Sequence, residues 1–342
     1  MSEPVEGRRP ALFVDLDNTV RETLTGRAHP IWPEDQTLRP GALERLEEYR
    51  ARGYAIVGVT NQGQGTHTAL AQIIADVLDV PVDDIAVLSG DTAVVPYGGG
   101  TWASRGMPIG GSATLLAARA LGERIRTVAA ALLEAHAADI ELGGGRAAVR
   151  GSPERGLSYA ELARAAHFRS NELRGVEPSL EATVHYTNPG AWTFTNGAHL
   201  AVAEVDVDTG QVRVLRYVAV DDCGRIVNPA LVEGQIAGGI AQGLGGALME
   251  RCAYDEAGQP LSTTLMDYAV PTAADLPPIE THHIETPAPG IAGGFMGAGE
   301  AGATGAPAAI LNAVNDALAP LGRDRLIREH HAERVVAALR PR

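Results

Sequence analysis

Residues 61–68 read Asn61-Gln62-Gly63-Gln64-Gly65-Thr66-His67-Thr68, and this stretch separates two parts of the chain that differ in character. Before it, short apolar segments at 12–14 and 54–59 each run into polar side chains, a pattern typical of strands that end at a site. After it, glycine-rich clusters alternate with helical patterns. We therefore predict one domain over residues 1–62 and a larger one over residues 63–342.

The composition of the chain argues against several classes of protein. A hydrophobic fraction of 45% in 342 residues is enough for a real core. The net charge of −14 argues against a nucleic-acid-binding surface, and no apolar run is long enough to span a membrane. No signal-peptide pattern accompanies Arg8 and Arg9, so we expect a cytoplasmic protein.

Cysteine, glycine and histidine usage narrows the chemistry further. Cys223 and Cys252 are too few to hold an iron–sulfur cluster, so redox chemistry would need electron carriers from another chain. The 40 glycines point to a backbone that approaches a ligand closely. His67 and the pairs at 282–283 and 330–331 lack further ligands at metal-binding spacing, and we expect surface or capping roles for them.

The first sixty residues predict a strand, a crossover helix and a second strand. The first strand runs into Asp15 and Asp17, the helix begins at Pro40, and the second strand, at 54–59, is followed by Thr60. Such a crossover joins parallel strands, whose carboxyl ends meet at one edge of a sheet. Asp15, Asp17 and Thr60 should therefore lie close together, which suits Mg²⁺-dependent phosphoryl transfer.

The motif Asp15-Leu16-Asp17-Asn18-Thr19, followed by the strand end at Thr60, resembles the haloacid dehalogenase-like phosphatases. The resemblance implies a partial α/β, Rossmann-like segment with Asp15 as nucleophile, Asp17 as general acid/base and Thr60 as phosphate binder. Asp15 and Asp17 would also hold the Mg²⁺. The resemblance stops at residue 62, because the lysine and the acidic pair that the phosphatases next require do not follow. The favoured interpretation of residues 1–62 is a truncated, inactive phosphatase segment.

Residues 63–342 predict a mixture of helices and strands, an α+β fold. Helices are expected at 66–80, at about 110–135, after a capping box formed by Ser158 and Glu161, after Asn228 with Pro229 in its first position, and from Pro307 onward. Strands are expected at 85–88, 200–207 and 212–220, the last two joined by a turn at Thr209-Gly210.

Two glycine-rich segments call for a physical explanation. Glycines crowd residues 234–246 of a predicted helix, where each costs up to about 1 kcal/mol, so something must approach this helix closely. Helix packing and ligand contact explain any one of these glycines equally well. Glu300 lies between glycines in an apolar stretch, and the desolvation expected there would favour a role as general base.

Four motifs follow one another in order: Gly63-Gln64-Gly65-Thr66-His67-Thr68, then residues 96–105, residues 221–229 and Gly297-Ala298-Gly299-Glu300. Together they resemble the molybdenum-binding large subunit of the xanthine dehydrogenase family, in particular its carbon monoxide dehydrogenase and aldehyde oxidase-like members. The resemblance covers residues 63–342 and implies the α+β molybdenum-cofactor-binding domain of that family. It also implies a molybdopterin cytosine dinucleotide, no direct protein ligand to molybdenum, and Glu300 as general base.

The resemblance assigns cofactor binding to residues of the first three motifs and of the segment that follows the third: Gln64, Gly65, Thr66, Thr68, Gly100, Thr101, Ser104, Arg105, Asp222, Cys223, Asn228 and Gln235. Backbone N–H groups beside glycine, hydroxyls and a cation suit a diphosphate, and side-chain amides suit a pterin. The resemblance further implies that a small aldehyde, a heteroaromatic or another reduced-carbon substrate receives oxygen from water. Iron–sulfur and FAD subunits would accept the electrons.

Three functions are therefore weighed. The preferred one is an oxidoreductase, a fragment of a molybdenum hydroxylase large subunit whose activity is limited because the family's N-terminal half is not in this sequence. The second is a Mg²⁺-dependent phosphatase of the haloacid dehalogenase-like superfamily. The third is a recombined gene product that catalyses nothing.

Overall fold

The structure is a computed structural model. It describes residues 64–89, 100–173, 175–189, 193–321 and 335, together with the backbone of four strands between residues 11 and 59. The chain divides into two compact units, one formed by Met1–Gly65 and Leu88–Gly98 and the other by Thr66–Val87 and Gly99–Arg342.

Two pairs of strands are described in the first unit. Strand β1 (Ala11–Asp15) pairs in parallel with β4 (Ala55–Val59). Strand β2 (Arg21–Thr23) pairs antiparallel with β3 (Gln36–Leu38).

The parallel pairing predicted for the first sixty residues is confirmed. Asp15 lies opposite Val59 in the register, so β1 and β4 end side by side. Asp17, Thr60 and the helix predicted from Pro40 lie outside the described residues. Their phosphatase roles, and that of Asp15, stay predictions.

The described part of the second unit is a mixed assembly of α-helices and β-strands. The helices are α1 (Thr66–Leu78), α2 (Ser112–Leu133), α3 (Tyr159–Phe168), α4 (Pro229–Leu248) and α5 (Ala301–Leu318). The strands are β5 (Ile140–Gly143), β6 (Arg146–Val149), β7 (Ser152–Ser158), β8 (Asn196–Val205), β9 (Val212–Asp222) and β10 (Ile279–Ile284). In the part of the chain so described, no helix is long and apolar enough to cross a bilayer.

One hydrophobic core lies among α1, α2, α3 and the antiparallel sheet β5-β6-β7. Val128 of α2 and Leu162 of α3 are almost completely buried in it. The predicted capping box at the start of α3 is confirmed, because Ser158 Oγ accepts from the Glu161 N–H and the Glu161 carboxylate accepts from the Ser158 N–H. The two side chains thus satisfy N–H groups that a helix start leaves unpaired.

A second core lies between the sheet β10-β9-β8 and the helices α4 and α5. Strand β9 pairs antiparallel with β8 and in parallel with β10, which confirms the predicted hairpin. Helix α4 buries Ile236, Ile240 and Leu244, which lie four residues apart along one face. Asn228 caps this helix through its side chain, and Pro229 takes the first helical position, as predicted.

Two predictions about secondary structure were wrong, the strand at 85–88 and the start of α5. Residues 85–88 form no strand, because no strand among the described residues pairs with them. Helix α5 begins at Ala301, and Pro307, predicted to start it, lies inside it and packs closely against Gly243 of α4. A π-helical turn, Gly106–Gly111, precedes α2, whose bounds, Ser112–Leu133, lie close to the predicted range of about 110–135.

Candidate functional site

The glycine-rich segment 292–300, called here the glycine loop, leads into α5. Its main chain is held by hydrogen bonds to residues from segments far apart in sequence. The partners are Ser112 Oγ to Ala292 O at 2.8 Å, Arg225 N to Gly294 O at 3.1 Å, Met296 N to Cys223 O at 3.0 Å, and the Thr195 hydroxyl to Gly297 O. Ser112 is fully buried at the start of α2. The glycine loop is therefore fixed relative to α2, β8 and the turn after β9.

Ser104 and Glu300 form a two-way hydrogen bond although 196 positions separate them. Ser104 Oγ donates to Glu300 Oε2 at 2.8 Å and accepts from the Glu300 N–H at 3.0 Å. Gly297 permits this approach, because a Cβ there would overlap the Ser104 carbonyl. A Cβ at Gly299 would lie 3.8 Å from Gln235 Oε1 and 3.4 Å from Ser104 Oγ. The structure thus brings Ser104, Gln235 and Glu300, predicted from separate motifs, to one place.

The backbone beside Ser104 adopts conformations that L-residues rarely take. Ala103 and Ser104 have φ values of 50° and 53°, in the left-handed region, and Gly100 has φ of 66°. Such strain concentrates at ligand sites, where surrounding structure holds the backbone in place. Arg105 steadies the turn, because its Nε donates to Gly100 O at 3.2 Å and its guanidinium lies 4.5 Å from the centre of the Trp102 ring.

The glycines of α4 divide between two faces of the helix. Gly239 and Gly243 face α5, where an added Cβ would come within 2.6 Å and 2.5 Å of atoms of that helix. Gly234 and Gly238 face open space, with no atom within 4 Å of an added Cβ. Gln235 lies beside this open face. Packing against α5 therefore explains Gly239 and Gly243, and it does not explain Gly234 and Gly238.

The turn after β9 uses its side chains to support the glycine loop. Asp222 Oδ1 accepts from the backbone N–H groups of Gly224 and Thr286, each at 3.0 Å. Burial favours a higher pKa for Asp222, but these hydrogen bonds outweigh it and hold the pKa below its ordinary value of 3.8. Burial, and next the charge of Asp222, raise the pKa of Cys223 to about 11. Direct cofactor contacts by Asp222 and Cys223 stay predictions.

Asn228 also has structural partners. Its Oδ1 accepts from Leu231 N at 3.1 Å, and its Nδ2 donates to Gln72 Oε1 of α1 at 3.0 Å. The remaining predicted cofactor residues fall into two groups by exposure: Gln64, Thr68, Gly100 and Thr101 are exposed, whereas Gly65 and Thr66 are half-buried. Their cofactor contacts, like those of Asn228, stay predictions.

Two expectations about burial were wrong. Glu300 is exposed rather than desolvated, because the glycines and alanines around it have no side chains large enough to cover the carboxylate. Both ring nitrogens of His283, expected at the surface, are buried without a hydrogen-bond partner. His283 lies on β10 in register with Asp221 of β9, which is itself only 2% exposed.

Two arginines near the glycine loop were missed by the sequence analysis. Arg119 and Arg225 line a pocket of about 200 Å³ together with Asp76, Val227 and Phe295. Single arginines outside a recognised motif carry no signal of their own. Arg225 could have been suspected, because it lies within the 221–229 motif.

The chemistry of these residues fits a pterin dinucleotide. The open face at Gly234 and Gly238 leaves room for a flat ring, and Gln235 and Ser104 offer hydrogen-bonding groups beside it. The guanidinium of Arg225, exposed at the pocket, is suited to oppose a diphosphate. Among the described residues, no three His, Cys, Asp or Glu side chains come together to hold a metal ion.

Comparison with known proteins identifies the family. The profile of the molybdopterin cofactor-binding domain matches residues 51–277. The chain is 45% identical over 266 residues to the nicotine 6-hydroxylase large subunit of Paenarthrobacter nicotinovorans, a match that covers 78% of the chain. This chain belongs to the molybdopterin cofactor-binding domain family. The family match begins before residue 63, and the domain boundary at 62 stays a prediction.

Further relatives agree with this assignment. The carbon monoxide dehydrogenase large chain of Afipia carboxidovorans is 40% identical over 281 residues, or 82% of this chain. The crystal structure of quinoline 2-oxidoreductase from Pseudomonas putida 86 superposes with a TM-score of 0.74 and 43% identity, over 82% of this chain and 35% of that one. The chain matches 32% of the nicotine 6-hydroxylase subunit and 34% of the carbon monoxide dehydrogenase chain, so it spans about a third of these relatives' length.

Proposed function

We propose that this chain forms one wall of the cofactor site of a molybdenum hydroxylase large subunit, with Glu300 as general base. The observation that carries the proposal is the two-way hydrogen bond between Ser104 and Glu300. It holds a carboxylate beside Ser104, and Gly299, the residue before Glu300, lies near Gln235, so two residues predicted to bind the cofactor are close to the proposed base. A base must be held within reach of the proton it removes, and this contact holds it.

The residues of this chain would bind and orient the cofactor, and one of them would accept a proton. When bound, a molybdopterin cytosine dinucleotide supplies the two-electron redox chemistry that amino-acid side chains lack. Ser104 holds Oε2 of Glu300 and leaves Oε1 available to take a proton. Gln235 offers its amide to the pterin, and Arg105 and Arg225 oppose the diphosphate. The proposed set of cofactor-binding residues is completed by Gln64, Gly65, Thr66, Thr68, Gly100, Thr101, Asp222, Cys223 and Asn228.

The proposed reaction is the hydroxylation of a small organic molecule with oxygen from water. Nicotine and quinoline, named in two of the relatives, are nitrogen heteroaromatic compounds, so we favour a substrate of that class over an aldehyde. Iron–sulfur and FAD subunits would take up the electrons, since the two cysteines of this chain cannot hold a cluster. We place the complex in the cytoplasm.

Replacing Glu300 by Gln tests the proposed base. The variant keeps the size of the side chain and its hydrogen bond to Ser104 but cannot accept a proton, so molybdenum-dependent dye reduction should fall at least a hundredfold. The matched control is Glu256→Gln in an exposed turn, which should leave the rate unchanged. Equal rates for Glu300→Gln and the wild type would refute the assignment.

Residues 1–62 keep the phosphatase prediction as a second candidate. The observation that favours it is the parallel pairing of β1 and β4, which ends β1 at Asp15. If the chain hydrolyses a phosphate ester in the presence of Mg²⁺, Asp15→Asn should abolish that activity and leave dye reduction intact. Absence of both activities in the folded chain would favour the inactive gene product instead.

A further inference from the structure

A chain of buried polar groups crosses the face of the sheet that lies beneath α5. His199 of β8 places Nε2 at 3.4 Å from Asp221 Oδ1 and Nδ1 at 2.8 Å from the Tyr217 hydroxyl oxygen. The side chains of His199 and Asp221 are 5% and 2% exposed, and Tyr217 is completely buried. None of these three residues belongs to the proposed cofactor set.

The partners of His199 determine where its proton lies. Asp221 in its charged form can only accept, so Nε2 of a neutral ring must carry the hydrogen. Nδ1 is then an acceptor, and the Tyr217 hydroxyl must donate to it. Burial, and next the charge of Asp221, raise the pKa of Tyr217, so this hydroxyl stays protonated. The hydrogen bonds therefore run in one direction, from Tyr217 through His199 to Asp221.

His199 packs directly on the backbone of α5. A Cβ at Gly305 would lie 2.6 Å from His199 Nδ1, so the imidazole occupies space that any larger residue would take. On the other side of the ring system, a Cβ at Gly197 would overlap Asp221 Oδ1. Gly197 on β8 and Gly305 in the second turn of α5 thus make room for His199 and Asp221.

Asp221 is costly for the fold. Its Oδ2 is buried without a hydrogen-bond partner, as are both ring nitrogens of His283 beside it on β10. An unpaired buried polar group lowers the stability of the fold, whereas an apolar side chain in the same place would not. Replacing a buried ionic group by apolar residues of similar volume is often neutral or stabilising, so stability alone does not explain Asp221.

We propose that Asp221, acting through His199, is a positioning residue that fixes the first turns of α5 and hence Glu300. Glu300 lies immediately before Ala301, the first residue of α5, and its carbonyl accepts from the Thr304 N–H at 3.0 Å. The base role of Glu300 rests on the proposed function, but the anchoring of α5 does not. The network and the hydroxylase can therefore fail separately.

The test uses the full chain and needs no cofactor. In ¹⁵N-histidine spectra the His199 signal, identified by its loss in His199→Gln, should show the neutral Nε2–H tautomer. The Nδ1–H tautomer would overturn the proposal. In Asp221→Asn, hydrogen exchange at the Glu300 and Thr304 amides should quicken on the order of tenfold, because the Asn carbonyl offers a neutral hydrogen bond in place of a charge-assisted one.

Two further variants keep the test decisive. Glu280→Gln removes the exposed ion pair between Arg216 and Glu280 on the same sheet and should leave exchange in α5 unchanged. If Asp221→Asn does not fold, Tyr217→Phe removes only the hydroxyl. Asp221 should still hold the Nε2–H tautomer of His199, and the same amides should quicken about threefold. Unchanged exchange in α5 for a folded Asp221→Asn, or for Tyr217→Phe, would overturn the proposal. If the purified chain contains no molybdenum, that result would contradict the proposed hydroxylase function and leave the positioning role of Asp221 untouched.

Discussion

At the scale of single residues, the Ser104 hydroxyl determines how the carboxylate of Glu300 is presented. It is both donor and acceptor for Glu300, and it lies on a backbone with a left-handed φ. A hydrogen bond to a charged group is stronger than one between neutral groups, so it can hold an otherwise exposed side chain in one orientation. Glu300 has no apolar cover, so orientation has to come from this contact.

Ser104→Ala should lower the turnover of the loaded enzyme about tenfold while leaving the melting temperature nearly unchanged. The reason is that the variant frees the Glu300 carboxylate to rotate but removes no buried apolar surface. Thr264→Ala is the matched control, because it removes an exposed hydroxyl that donates to the Asp267 carboxylate at 2.9 Å. Dye reduction by both variants, with molybdenum content measured in parallel, checks the prediction; a rate equal to that of the control would contradict it.

The two cysteines should differ sharply in reactivity. Cys252 is exposed, whereas Cys223 is buried and its pKa is raised to about 11. Because the thiolate is the reactive form, Cys223 should stay unlabelled by iodoacetamide at pH 8 and begin to react only as the pH approaches 11. Mass spectrometry of the native chain separates the two sites, with Cys252→Ser as control. Rapid labelling of Cys223 at pH 8 in the folded chain would contradict the burial described here.

The sequence predicted the members of the site better than their roles. Ser104, Gln235 and Glu300 were all predicted, and the structure brings them together. Motif resemblance assigned Asn228 to the cofactor, whereas the Asn228-Pro229 sequence predicted a helix cap, and the structure confirms the cap. The exposure of Glu300 was also missed, because apolar neighbours in sequence were taken for apolar neighbours in space.

At the scale of elements, the glycines of α4 serve two purposes on two faces. Gly239 and Gly243 let α4 and α5 pack backbone to backbone. Gly234 and Gly238 have no protein neighbour within 4 Å of an added Cβ. The second pair therefore lowers helix stability without improving packing, unless a ligand lies there.

Two adjacent glycines provide a matched pair of variants. Gly238→Ala should stabilise the cofactor-free chain by about 0.5–1 kcal/mol, because alanine favours the helix and meets no atom. Gly239→Ala should destabilise it by roughly 1–3 kcal/mol, because the new methyl group would overlap α5. Denaturant unfolding measures both. If Gly238 borders the cofactor, the more stable Gly238→Ala chain should nevertheless retain less molybdenum; full retention would remove Gly238 from the site.

Elements with periodic patterns were predicted well and isolated ones poorly. The β8–β9 hairpin and the helix capped by Asn228 follow from apolar spacing and turn residues. The start of α5 could not be predicted in this way. Pro307 is a residue type typical of a first helical position, and the six small residues before it are typical of a loop. Tertiary packing against α4 extends the helix over those residues. The network around Asp221 could not be predicted from the sequence either, because its members lie on two strands and meet only when β8 pairs with β9.

At the scale of the whole molecule, the chain corresponds to about a third of the length of the relatives that it matches. It matches 32% of the nicotine 6-hydroxylase large subunit and 34% of the carbon monoxide dehydrogenase large chain. Family and fold class could be predicted from four motifs in order, because such motifs encode backbone approach to a shared cofactor. The substrate could not, since no residue in these motifs was assigned to a substrate pocket.

The central claim is that this chain holds the molybdenum cofactor through the site built around Ser104, Gln235 and Glu300. The most direct test is elemental analysis for molybdenum, with assay of acid-released cytidine nucleotide, on the folded chain purified from a host that makes the cofactor. We predict near-stoichiometric amounts of metal and nucleotide. A folded chain that carries neither would contradict the claim.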